Sequence, residues 1–167
     1  MKVLIVYDTV SPMKITAKVA ETIGEALKDK GIEVESFFVK DVGQPTLKNY
    51  DCLIVGSPTM YFRASSGIMQ FLNSLPDKDF SGQLAAAFDT QIPTWFSGNA
   101  TKGIENKLKK LGFEIVAPPL IAYVEGKTNQ MQLKDGELEK TKNWAQEVAK
   151  AVLKKTSAAG AQVSLQV

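Results

Sequence analysis

The hydrophobic positions of this chain keep two periods in turn, one suited to buried strands and the other to amphipathic helices. Residues 2–7 form a β-branched, nearly continuous apolar run, which predicts a strand buried on both faces. A polar loop follows. Ile15, Val19, Ile23 and Leu27 then make an i, i+4 stripe on a helix ended by Gly31. Residues 33–39 alternate polar and apolar, as an edge strand does, and residues 51–56 are a second buried run leading into a loop over residues 57–66. The next helix carries Ile68, Phe71, Leu72 and Leu75 on one face and stops at Pro76.

Residues 84–88 predict another buried strand, whose alanines let helices approach closely, and residues 89–99 a loop. Ile104, Leu108 and Leu111 stripe a helix closed by Gly112. Residues 113–117 and 120–124 give a fifth strand, interrupted by Pro118 and Pro119. Asp135 is the expected N-cap of the last helix, with Glu137 and Glu139 in its first turns and Lys154 and Lys155 at its end, as the helix dipole prefers. Its inner stripe is Thr141, Trp144, Ala145, Val148 and Val152. Residues 156–167 show no periodicity and are expected to form a mobile tail. Five strands alternating with helices predict one α/β domain over residues 1–155, a doubly wound, three-layer parallel sheet with helices on both faces.

Composition narrows the chemistry. The chain of 167 residues contains no His, which removes Ser-His-Asp hydrolysis, His-based acid–base work and most zinc sites. Its one Cys, Cys52, lies in an apolar run and reads as a plain buried thiol. Any hard chemistry must therefore come from a cofactor. The net charge is +2 with no basic cluster, so no nucleic-acid surface is expected. There is no apolar run of about eighteen residues and no signal-peptide layout, so membrane insertion is not expected and the cytoplasm is the expected compartment.

In sheets of this kind ligands bind beyond the carboxyl ends of the strands, where strand order reverses. The loop after the first strand carries three hydroxyls, Thr9, Ser11 and Thr16, and enters a helix whose first turns hold Lys14 and Lys18 with no acid before Glu21. Cations there oppose the helix dipole by about 0.3–1 kcal/mol each unless an anion shares the site. Free N–H groups, hydroxyls and a lysine together suit a phosphate; the alternative is that the hydroxyls only cap the helix. The second loop exposes Met60, Tyr61 and Phe62, and the third repeats the pattern with Trp95 and Phe96. Two aromatic loops flanking a phosphate loop would make a slot for a flat ring, although each aromatic alone could be a packing residue. Arg63, the only arginine, falls in the second loop. It is either a solvated charge or a group that steadies anionic reduced cofactor or docks an acidic partner.

The strand–loop–helix start, the run Val55-Gly56-Ser57-Pro58-Thr59 before an aromatic loop, and Phe88-Asp89-Thr90 with Ser97-Gly98-Asn99-Ala100 resemble the flavodoxin family, archaeal flavodoxins and the flavodoxin modules of A-type flavoproteins above all. The likeness covers residues 1 to about 155. It implies the strand order 2-1-3-4-5 and FMN bound without a covalent link. Carried over, it puts Thr9, Val10, Ser11, Lys14, Ile15 and Thr16 at the phosphate. Pro58, Thr59, Met60, Tyr61 and Phe62 would line one side of the ring, with Asp89, Thr90, Trp95 and Gly98 on the other. Backbone groups near Met60 and Tyr61 would meet the flavin N5.

The first loop departs from the family pattern: it is longer, Pro12 removes an N–H donor, and Lys14 stands where Gly or Asn is usual. The slightly basic charge also differs from the usual acidic members. The implied function is electron carriage between redox proteins, such as a ferredoxin or reductase as donor and a separate acceptor, by a monomer or homodimer. An FMN-dependent NAD(P)H:quinone oxidoreductase and a flavin-free interaction domain of the same fold are the alternatives.

Overall fold

The computed structural model describes residues 1–77, 79–94, 98–127 and 129–164, with backbone alone at 156 and 162–164. Strands β1 (Lys2–Tyr7), β2 (Glu33–Phe38), β3 (Cys52–Met60), β5 (Leu84–Gln91) and β7 (Leu120–Glu125) form the sheet in the order β2-β1-β3-β5-β7, all parallel. Renumbered by these five alone, the order is 2-1-3-4-5, as expected. Three two-residue strands are added. β4 (Arg63–Ala64) pairs antiparallel with β3, β6 (Glu114–Ile115) parallel with β5, and β8 (Gln132–Leu133) antiparallel with β7. The fifth strand of the sequence reading is thus two pieces, β6 and β7, on either side of the prolines.

The period of two in the buried runs sorts side chains to the two faces. Val3 and Ile5, Cys52 and Ile54, and Ala86 and Phe88 face α1 (Ile15–Lys28) and α4 (Glu137–Ser164), where Val19, Ile23, Leu27, Val148 and Val152 complete one core. Leu4 and Val6, Leu53 and Val55, and Ala85 and Ala87 face α2 (Ser66–Ser74) and α3 (Ala100–Lys110), where Ile68, Leu72, Ile104 and Leu108 complete the other. Cys52 is buried, and the low dielectric around it pushes its thiol up to about 12, so it is an inert packing group.

Several boundaries differ from the sequence reading. β3 continues through Ser57 to Met60 and β5 through Asp89 to Gln91, because the pairs Ser57↔Asp89 and Pro58↔Thr90 extend the ladder beyond the end of β1. The β1 ladder stops at Tyr7↔Gly56, so β1 asks no N–H of Pro58. Helix α4 starts at Glu137 after Gly136 (φ +85°), so Asp135 is not its N-cap. Nor does α4 end at Lys155; it runs on to Ser164, since an alanine-rich segment stays helical without an apolar stripe. No helix among the described residues is long and apolar enough to cross a membrane.

Candidate functional site

Parallel strands deliver the segments after β1, β3 and β5 to one edge of the sheet, and side-chain hydrogen bonds lock the three together. The buried Asp8 carboxylate accepts from the Thr9 N–H at 2.8 Å and from the Ser65 hydroxyl at 2.6 Å. Ser65 caps α2 by accepting from the Ile68 N–H, and its own N–H donates to the Ser57 hydroxyl oxygen at 2.9 Å. A Cβ at Gly67 would lie 2.9 Å from an Asp8 carboxylate oxygen, so glycine is required for this close approach. The sequence reading missed Asp8, Ser57 and Ser65 as organisers. The signal that could have found them was a carboxylate and two serines at strand ends and a helix start.

The first segment turns into α1 through Lys14, which adopts a left-handed conformation (φ 49°, ψ 43°) and donates its N–H to the Ser11 carbonyl at 3.0 Å. No side chain caps α1 and no acid occupies its first turn. Helix geometry leaves the first N–H groups without intrahelical partners. The Thr9 hydroxyl beside this turn is shielded from solvent and has no partner among the described residues. The side chains of Ile15 and Thr16 are buried while Lys14 is exposed, so Ile15 can contribute only its backbone. Thr16 spends its hydroxyl on Thr90, at 2.8 Å.

Behind the second and third segments lies a buried triad. Thr59 donates its hydroxyl to Asp89 at 3.1 Å, and the Ala100 N–H at the start of α3 approaches both the Thr59 hydroxyl (3.0 Å) and the same Asp89 oxygen (3.1 Å). The other Asp89 carboxylate oxygen is buried and unpartnered among the described residues. Burial pushes the Asp89 carboxyl up to about 6, against the hydrogen bonds from Thr59 and from the backbone of Ala100 and Thr101, which hold it down.

β3 and β4 form a hairpin with a two-residue turn, Tyr61-Phe62, both with positive φ (46° and 71°), the mark of a type I′ turn. That turn normally takes Asn-Gly; two aromatics there store strain of roughly 1–3 kcal/mol per residue. The side chains gain little burial in return, being 87% and 58% exposed. Phe62 bridges to Gly98 (φ +60°), where a Cβ would meet the Phe62 backbone at 3.0 Å, so the second and third segments close on each other. A cleft of ≈ 620 Å³ opens beside the hairpin, lined by Asp8, Val10, Met60, Tyr61, Arg63 and Met69 among others.

The expected site residues are thus gathered at one edge: Thr9, Val10, Ser11 and Lys14 on the first segment, Met60, Tyr61 and Phe62 on the hairpin, and Gly98 facing it. Pro58, Thr59, Asp89 and Thr90 stand just behind as strand residues. Trp95 lies outside the described residues.

No family model matches the chain. It is 32% identical over 126 residues to the flavodoxin of Maridesulfovibrio salexigens, across 71% of this chain and 84% of that one. Among solved structures it resembles rubredoxin oxygen:oxidoreductase from Desulfovibrio gigas, with a TM-score of 0.75 and 25% identity over 93% of this chain and 37% of that longer one. It shares the fold of a flavodoxin from the domain Archaea, with a TM-score of 0.71 and 24% identity over 91% and 99% of the two chains. With a flavodoxin sequence matched along most of its length, and three segments gathered where such sheets hold their ligands, this chain belongs to the flavodoxin family.

Proposed function

We propose that this protein is a cytoplasmic one-domain carrier that holds FMN without a covalent link and passes electrons between redox proteins, with residues 1–155 as the cofactor-binding unit. The observation that carries the FMN reading is the unfinished polar chemistry of the site. Among the described residues the Thr9 hydroxyl and one Asp89 oxygen are buried without partners, beside a helix start with no side-chain cap, no acid in its first turn and an exposed lysine. Such groups cost folding free energy of about 1–3 kcal/mol each unless a ligand completes them.

Thr9, Ser11, Lys14 and the first N–H groups of α1 would hold the phosphate. Met60, Tyr61 and Phe62 would cover the ring on one side, with Thr90, Trp95 and Gly98 opposite and Asp89 accepting a hydrogen bond. When bound, FMN supplies the electron-accepting and electron-donating chemistry, and the protein tunes it by stacking, hydrogen bonding and local charge.

The test is a titration of the flavin-free protein with FMN and with riboflavin, followed by fluorescence, and an anaerobic reductive titration of the loaded protein. FMN should bind at least about tenfold tighter than riboflavin, the phosphate being held by charge-assisted hydrogen bonds. Equal affinities would overturn the phosphate assignment, and no binding of either would overturn the cofactor.

A further inference from the structure

The mouth of the site carries charge of one sign. In the segments 8–18, 57–66 and 89–102 the acids are Asp8 and Asp89, buried and hydrogen-bonded inside the site. The exposed charged residues of the same segments are Lys14, Lys18, Arg63 and Lys102. None of the four is in an ion pair among the described residues. Lys14 and Lys102 stand at the first turns of α1 and α3 and Arg63 leaves the hairpin, so the cations come from three sides of one edge. Farther out the charge is mixed, with Lys40 beside Asp41 and Glu125 near Lys127.

Between these cations the surface is apolar. Val10, Met13, Tyr61, Phe62 and Ile92 are the most exposed large apolar side chains among the described residues, at 48% or more, and all stand on the three segments. Met13 and Ile92 are not among the residues assigned to the cofactor, yet each is about half exposed (50% and 48%). An apolar centre with a polar rim is the layout of a protein docking surface, and here the rim is cationic.

We propose that this face docks an acidic electron-transfer protein, whose carboxylates meet Arg63 and Lys102 while its own apolar patch covers Met13 and Ile92. The proposal rests on the reading of the site as a flavin electron carrier and specifies the partner. Complementary potentials act chiefly on encounter, raising the association rate at low salt and suppressing partners of the wrong sign. A basic protein would meet like charges at the rim.

The experiment uses the flavin-loaded protein, its loading first checked by absorbance. Oxidised protein is mixed in a stopped-flow instrument with a photoreduced acidic ferredoxin, one electron passing from the iron–sulfur cluster to the flavin. Separately, photoreduced protein is mixed with a basic c-type cytochrome. Each second-order rate constant is followed from about 20 mM to about 300 mM NaCl, a range over which screening becomes strong. With ferredoxin the rate should fall about fivefold or more as salt rises, and Arg63→Glu with Lys102→Glu should lower the low-salt rate by a similar factor. With the cytochrome the rate should stay level or rise, and the double reversal should increase it.

A ferredoxin rate that ignores salt or the charge reversal, or a falling profile with the cytochrome instead, would overturn the docking proposal while leaving the carrier reading intact. A protein that takes up no flavin would overturn the carrier reading. Ferredoxin binding to that flavin-free protein, read by nuclear magnetic resonance shifts at Met13, Arg63 and Lys102, would then still decide the docking proposal, with loss of those shifts at high salt supporting it and their absence overturning it.

Discussion

Thr16 and Thr90, 74 residues apart, share a buried hydrogen bond of 2.8 Å between their hydroxyls, which ties the start of α1 to the end of β5. The segments after β1 and β5 are thereby held in register before any ligand arrives. Replacing one hydroxyl leaves the other buried without a partner, whereas replacing both removes the need. Thr16→Val or Thr90→Val alone should cost about 1–3 kcal/mol of stability, and the double variant less than the sum by about 1 kcal/mol or more. Urea unfolding of the four proteins supplies this double-mutant cycle. Strict additivity would show the bond to be idle.

Lys14 holds two opposed properties. Its left-handed backbone is unfavourable for a side chain by about 1–2 kcal/mol, while its charge stands at a helix start that suits an anion. Lys14→Gly should therefore stabilise the flavin-free protein by about 0.5–1 kcal/mol and weaken FMN binding by about tenfold. Thermal melts and fluorescence titration measure the two effects separately. A variant improved or worsened in both would show that the strain is not kept for the ligand.

The Tyr61-Phe62 turn leads to a similar expectation by another route. An Asn-Gly pair would relieve two positive-φ aromatics, so Tyr61→Asn with Phe62→Gly should raise the unfolding free energy by about 1–2 kcal/mol. The same change removes the aromatic cover, and FMN affinity should fall by more than about tenfold. An affinity close to the wild-type value would place the ring elsewhere.

Asp89 sets a pH dependence whose direction follows from burial. Below about pH 4 the carboxyl is protonated in both the folded and unfolded chain and imposes no penalty. Its folded value is raised to about 6, so the folded state binds the extra proton between these limits and loses stability as pH rises through them. Above that window the penalty is complete, on the order of 3 kcal/mol. Asp89→Asn should become more stable relative to the wild type as pH increases from about 4 to about 7 and level off beyond. Urea midpoints across that range, without flavin, test it, and a constant difference would contradict the raised value.

The five main strands and four helices were legible because their apolar runs and stripes answer to one buried face or two, as at Val3 and Ile5 against Val19 and Ile23. The extension of β3 and β5 was not, since Ser57, Pro58, Asp89 and Thr90 have loop-like composition and become strand only by pairing with one another. The aromatic hairpin was equally hidden, because Tyr61-Phe62 carries none of the glycine or asparagine by which such turns announce themselves. Local sequence also says nothing of the Asp8–Ser65 bond, made across 57 residues. The last turns of α4 escaped a search for apolar stripes because alanine favours a helix without burying a face.

Gly56 and Phe88 are direct partners across β3 and β5, and a Cβ at Gly56 would come within 1.9 Å of the Phe88 ring. The ring lies over the glycine and fills the volume a side chain would need, one step along both strands from Ser57 and Asp89. The two positions therefore cannot drift independently: alanine at 56 demands a smaller residue at 88, and a smaller residue at 88 alone opens a void beside the Ser57↔Asp89 pair. In descendants of this sequence they should change together or not at all, which makes the pair a marker of how far the site can be remodelled before its foundation has to be rebuilt.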